Sequence, residues 1–228
     1  ASLTLTAEGA AGTETSVAFE QEQLYPVKYM GWIPVSRESI LMGDPSLDSV
    51  IKGELFARAV VNFTTQFLTG QGVAGAPQGM TKIATDGSYT ASCTGALDAG
   101  ELATMIETIK TNNALVDFGR LAWIMHPFTE AAIFAIASSN SLLFTPPNAA
   151  YATEGLRIFG IPYATTTILG GAEGTADLIL ADLSQWAAIR WGAIELDMSP
   201  HPQFTSDNVV GRIIDRFNVL AKHRQSIV

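Results

Sequence analysis

Segment 46–69 constrains the fold of this chain more than any other feature. Asp44 is placed to cap free backbone N–H groups, and Pro45 suits a first helical position, where no N–H is needed. Beyond it Leu47, Val50, Ile51, Leu55, Ala59, Phe63 and Phe67 recur at helical spacing, while Lys52, Arg58, Asn62 and Gln66 mostly fall on other faces. Gly70 supplies the stop. The expected product is one helix of about 24 residues, about 36 Å long at 1.5 Å per residue. Such a rod can brace an elongated molecule.

The surface around that rod is short of charge. The 228 residues are 15% charged and 47% hydrophobic, against about 25% charged in an ordinary soluble chain. A solitary monomer of this composition exposes much uncharged surface, so large areas are expected to be covered by other subunits. Lys and Arg number 13 against 22 Asp and Glu, a net charge of −9. That balance argues against tight binding of nucleic acid through phosphates, which needs clustered Lys and Arg. Cys93 is the single cysteine. Alone it forms neither an internal disulfide nor a multi-cysteine zinc site, so a reducing compartment and a space-filling role are expected. The richest apolar stretch, 178–196, is interrupted by Asp182, Arg190 and Glu195, so no membrane-spanning helix is expected. The first residues lack the basic-then-apolar order of a signal peptide. The chain begins at Ala1 without a methionine, as a processed or partial product would.

Residues 1–23 read as two short strand-like runs around a small-residue tip that contains Gly9 and Gly12, the pattern of a long hairpin with a mobile tip. With few large apolar residues it cannot hold a core, so it is expected to project and lie on a neighbour. Pro26 and Pro34 bracket an aromatic and branched run and point to edge or boundary positions. Asp98 and Glu101 have capping-box spacing before Leu102, Met105, Ile106 and Ile109, which predicts a second helix to about Lys110. Segment 121–125 reads as a buried strand, and His126-Pro127 turns it into a third helix to about Ala137. Short strands are expected over 156–161, 163–169 and 176–181, with Gly170, Gly171 and Gly174 in a turn between the last two. Segments 190–198 and 208–223 are long strand candidates. In the latter Val209, Ile213, Phe217, Val219 and Ala221 share one side, and Arg212, Arg216 and Asn218 lie on the other. Helices and strands thus interleave in an α+β order.

Reactive chemistry is not legible in this pattern. Gly70, Gly72 and Gly75 match the spacing of a dinucleotide-binding loop, but that loop must leave a strand and open a helix, whereas this one leaves a helix and runs into Pro77. His126, His201 and His223 lack partners at metal-ligand spacing, and their Met-His-Pro and Pro-His-Pro surroundings are turns. Asp44, Asp98 and Glu101 have capping roles, and no serine sits in a nucleophile elbow. Aromatic residues alternate with Val, Ile and Leu rather than with Lys and Arg, which favours core packing over base stacking. The expectation is no catalytic residue, no cofactor and no metal.

In order and spacing these segments resemble the major capsid proteins of tailed bacteriophages, the Hong Kong 97 fold. The resemblance spans nearly the whole chain. It is carried by the glycine-tipped hairpin, the run from Gly31-Trp32-Ile33-Pro34 to Arg37-Glu38, and the capped rod ending Phe67-Leu68-Thr69-Gly70. Pro77-Gln78-Gly79-Met80 follows, then Trp123-Ile124-Met125-His126-Pro127, where His126 replaces the usual Asn. Gly160-Ile161-Pro162-Tyr163, Ala181-Asp182-Leu183-Ser184-Gln185 and 208–223 are the later landmarks.

The resemblance implies an extended hairpin loop at 1–23 that lies over an adjacent subunit. It implies a peripheral domain from 24–81 and 190–228, built on the 46–69 spine helix and long strands, and an axial domain at 82–189, a mixed sheet with flanking helices. It implies a shell of hexamers and pentamers around double-stranded DNA, without sequence-specific binding, assembled in the cytoplasm of a bacterial host with a portal and with scaffolding or decoration proteins. Subunit contact is expected at Val17, Phe19 and Glu20 of the hairpin, with Glu20 meeting Arg37 or Arg58 of a neighbour. Two departures stand out. The arm that usually precedes the hairpin is absent from this sequence. Asn208 and Asp215 sit where some members place the Asn and acid of a covalent link between subunits, but the 8–14 tip has no Lys, so noncovalent assembly is expected. An encapsulin-like compartment is the alternative reading, and a nucleotide-binding enzyme using the 70–75 loop is a remote one.

Overall fold

A computed structural model describes residue 8 and residues 23–42, 46–90, 97–112, 118–139, 144–145, 157–170 and 177–228. The hairpin, the Asp44-Pro45 cap and Cys93 lie outside the described residues. In chain order the elements are β1 (Val27–Ser36), α1 (Arg37–Met42), α2 (Ser46–Thr69), α3 (Met80–Asp86), α4 (Ala99–Thr111), β2 (Leu121–Met125) and α5 (Pro127–Ser139). They continue with β3 (Phe144–Thr145), β4 (Arg157–Ile158), β5 (Ile161–Thr165), β6 (Leu178–Asp182), β7 (Trp186–Arg190), β8 (Glu195–Gln203) and β9 (Asn208–Ala221).

The first sheet is four-stranded and antiparallel around β9. β1 runs along one side of β9, from Val27 opposite Phe217 to Ser36 opposite Asn208. β7 and β8 follow one another along its other side, with Trp186 opposite Ala221 and Glu195 opposite Ile214. Strand alternation sends the odd-numbered side chains of β9 toward α2 and the even-numbered ones to the opposite, more open face, on which Val210, Ile214 and Asn218 are nonetheless buried. α2 lies across the odd face. Leu55 is fully buried, the Phe63 ring meets Phe217 edge-on at 5.0 Å, and Phe67 meets Trp186 edge-on at 5.8 Å. Tyr29 of β1 stacks on Phe217 at 4.7 Å. Gly211 lets the rod come close, since a Cβ there would stand 3.3 Å from the Leu55 side chain and 2.9 Å from the Met198 sulfur.

The rod ends in a compact elbow. Gly79 N–H donates to the Gly70 carbonyl at 2.8 Å, Gly72 N–H to the Pro77 carbonyl at 3.1 Å, and the Thr81 hydroxyl to the Leu68 carbonyl at 3.1 Å. Backbone packs on backbone here: a Cβ at Gly70 would lie 2.5 Å from the Pro77 oxygen, and one at Gly79 would lie 2.8 Å from Thr69 N. The glycine run is a helix-ending turn that hands the chain to α3, with Met80, Ile83 and Ala84 buried.

The second sheet has the order β3-β4-β5-β2-β6, with β2 parallel to β5 and antiparallel to β6. Its main core joins Leu102, Met105 and Ile109 of α4 to Trp123 and Met125 of β2, Ile133 of α5 and Leu180 of β6. A second core unites Leu68, Met80 and Ile83 with Trp186, Val219 and Ala221, and it takes Ile179 and Ala181 from the other side of β6. β6 is therefore one wall shared by two cores. The capping box forms as expected: Asp98 Oδ1 accepts from Glu101 N at 2.9 Å, and Glu101 Oε2 accepts from Asp98 N at 3.1 Å.

Several expectations need correction. The strand expected over 163–169 stops at Thr165, where Thr166 N–H turns to the Met125 carbonyl and its hydroxyl accepts from Ile168 N at 3.2 Å. The strand expected over 190–198 is two strands, because Gly192 adopts φ +84 and breaks the extended run between β7 and β8, which continue in the same direction along β9. Helices α1 and α3 were not anticipated. Val50, assigned to the buried stripe of the rod, is exposed, because it lies about 100° of helical rotation short of Ile51, which leans toward the sheet.

Candidate functional site

Of the five residues expected at a subunit contact, the structure describes two. Arg37 opens α1 at the end of β1; its side chain is exposed and its Nη1 stands 3.7 Å from Asp207 Oδ1. Arg58 projects from α2, and its Nε donates to Glu54 Oε1 at 2.9 Å one helical turn away. Each therefore faces an acid of its own chain, from different elements. Val17, Phe19 and Glu20 lie outside the described residues.

The open face of the first sheet carries a mixed surface. Arg212 donates to Asp197 at 2.8 Å and Arg216 to Glu195 at 2.7 Å. The Arg216 hydrogen bond and charge hold Glu195 below the usual carboxylate range, and the same bond raises Arg216. Along the outer strand β1, Met30 is 56% exposed and Trp32 55%. The rod presents a second uncharged patch, with Phe56, Val60 and Val61 exposed. α5 presents a third, with Phe128 and Phe134 exposed. An amphipathic surface helix turns polar residues outward, whereas these elements turn apolar ones outward as well.

One relationship went unread in the sequence. Asp215 sits at an odd position of β9, so alternation places it under α2. Its side chain is 4% exposed and pairs with Arg190 of β7. The signal was present: an acid at a core-side position of an apolar strand needs a cation beside it. The described surface is indented by clefts. One of about 310 Å³ lies between Tyr25, Gly72, Gln78, Asn218 and Arg224, and one of about 140 Å³ lies between Arg37, His201 and Asp207. Among the described residues no group of three or more His, Cys, Asp or Glu is arranged to hold a metal ion. Nor is any helix long and apolar enough to cross a membrane.

A braced sheet, a second sheet sharing a wall with it, and uncharged surfaces turned outward define a subunit made to be covered by neighbours. The Phage capsid family matches residues 1–228, and the chain belongs to that family. Among solved structures, the capsid of an empty GTA particle is similar at 14% identity and TM-score 0.76, over 98% of this chain and 78% of that one. A structure from Gordonia phage Cozz matches at 16% identity and TM-score 0.68, over 99% and 78%. The SrpI encapsulin complex of Synechococcus elongatus PCC 7942 matches at 8% identity and TM-score 0.67, over 89% and 72%. No curated protein sequence matches. The chain is a bacteriophage major capsid protein with the Hong Kong 97-like fold, a structural protein of a virion shell.

Proposed function

We propose that many copies assemble as hexamers and pentamers into an icosahedral shell that encloses double-stranded DNA. The observation that carries this reading is apolar surface turned outward on β1, α2 and α5 in a chain of the phage capsid family. In this reading 24–81 and 190–228 form the peripheral domain, and 82–189 surrounds the five-fold and six-fold openings. Hairpin 1–23 lies over an adjacent subunit through Val17, Phe19 and Glu20, with Arg37 or Arg58 of the neighbour opposite Glu20. Assembly takes place in the host cytoplasm with a portal, is noncovalent, and involves no catalysis. An acidic wall also suits a container whose DNA must leave, since it does not hold phosphates tightly.

The test is to express the protein and view it by negative-stain microscopy, then measure nuclease-protected DNA in particles from infected cells. Closed shells with protected double-stranded DNA are expected; a compact monomer would overturn the reading. The second reading, an encapsulin-like compartment, is favoured by the likeness to the SrpI encapsulin complex. Shells that retain a cargo enzyme and no nucleic acid would select it.

A further inference from the structure

The pairing of β1 with β9 stops where Val27 meets Phe217. Carried on in the same register, it would set Tyr25 opposite Val219 and Gln23 opposite Ala221. β9 itself runs on to Ala221 against β7. Trp191 N–H donates to the Arg216 carbonyl at 2.9 Å and Lys222 N–H to the Gln185 carbonyl at 2.7 Å, so even-numbered backbone groups of this strand address the β7 side. At the far end of the ladder Arg37 N–H donates to the Asp207 carbonyl at 3.1 Å, so odd-numbered groups address the β1 side. Val219 and Ala221 therefore turn their N–H and carbonyl groups toward the space that β1 has left.

Asn218 stands in that gap. Its Nδ2 donates to the Tyr25 carbonyl at 2.8 Å, and its Oδ1 accepts from Val219 N–H at 2.8 Å. In a continued ladder these two backbone groups would bond each other; here the amide bonds both and keeps them apart. Asn218 is only 8% exposed, and a buried amide persists where its donor and acceptor are both used. Beside it the cleft of about 310 Å³ lies between residues 23–25 and 218–221, bounded by Gly72 and Gln78 of the elbow. We infer that Asn218 is a positioning residue for assembly: its amide holds residues 23–25 off β9 and so sets the line on which residues 1–22 leave the first sheet. The cleft is the room that residues 23–25 take up when the ladder closes. The consequence for shells rests on the reading that residues 1–22 lie over an adjacent subunit, whereas the wedge itself does not.

The test is Asn218→Val, which removes both bonds of the amide and leaves a side chain suited to a strand; if that variant does not fold, Asn218→Thr carries the same expectation. Tyr25 then pairs with Val219, so hydrogen–deuterium exchange of peptides covering 23–27 should slow about tenfold while 217–221 stays protected. The melting temperature of the subunit should hold or rise, and shell yield should fall. Asn218→Asp keeps an acceptor for Val219 and still fills the gap, so 23–27 should exchange as in the parent. Faster exchange in 217–221 with a lower melting temperature and no slowing in 23–27 would mark a merely structural amide and overturn the assignment, as would slowing in Asn218→Asp as well. Slowed exchange with undiminished shell yield would overturn the effect on assembly and speak against residues 1–22 as a contact, while leaving the wedge in place.

Discussion

Arg190 and Asp215 lock β7 to β9 beneath the rod: Arg190 Nη2 donates to Asp215 Oδ2 at 3.1 Å, and Nε stands 3.0 Å from Oδ1, off the hydrogen-bonding line. The guanidinium carbon lies 5.3 Å from the centre of the Phe63 ring, so one cation touches a strand acid and a helix aromatic together. Asp215→Ala leaves Arg190 without its anion and should destabilise the subunit by about 2 kcal/mol, less than a fully buried pair because Arg190 is partly hydrated. Asp215→Asn keeps an acceptor and should cost about half as much. Denaturant unfolding of unassembled subunits measures both, and equal losses would show that a neutral acceptor recovers nothing and that the carboxylate charge carries the whole effect.

The elbow at the end of the rod gives a paired prediction. Gly79→Ala places a Cβ against the backbone of Thr69 and should cost about 3 kcal/mol, since backbone cannot step aside as a side-chain tip can. Gly75→Ala meets nothing within 4 Å, but its φ of +82 is left-handed, so only about 1 kcal/mol of backbone strain is expected. Thermal melts that rank the two the other way would show that the elbow is not packed as described.

Tyr163 supplies an alkaline signature. Burial first, then the hydrogen bond and negative charge of Glu130, push its phenol up to about 12 from an ordinary 10.0; the hydroxyl donates to Glu130 at 2.8 Å. A raised folded value means that stability from this group is whole below pH 10 and drains away as pH rises toward 12, because the unfolded chain loses its proton first. Burial raises Tyr29 in the same direction. Stability measured from pH 9 to 12 should fall less steeply in Tyr163→Phe than in the parent, and parallel curves would refute the assignment.

Hairpin charge is testable on the shell itself. Reversal at Glu20, Glu20→Lys, should lower the yield of stable particles and make the residual assembly less sensitive to salt, because an attraction screened by ions has been removed. Sedimentation of particles across a salt series reads both effects. An unchanged yield would count against Glu20 as a contact.

How much of this was legible depended on whether a local pattern had one meaning. Rod 46–69 was readable because helical spacing and a terminal glycine agree, and β9 because alternation separates Phe217 from Arg216. The turn at Gly192 was hidden by Trp191 and Ile194, whose β preference on either side reads as one strand. Helix α3 was hidden because Gly79 offers no capping side chain, and its apolar residues gain meaning only when Leu68 and Ile179 arrive from distant parts of the chain. The candidate contact surface was readable only as a shortage of charge; Met30 and Trp32 joined it once register and exposure were known.

The double-sided burial of β6 sets a limit on how this shell protein can vary. Leu178 and Leu180 belong to one interior, and Ile179 and Ala181 to the other. A graft that exchanges either half for that of a relative imports a strand shaped for a single partner. Such chimaeras should fold only when five consecutive residues travel with both of their surroundings, so lineages sharing this subunit are expected to trade it whole.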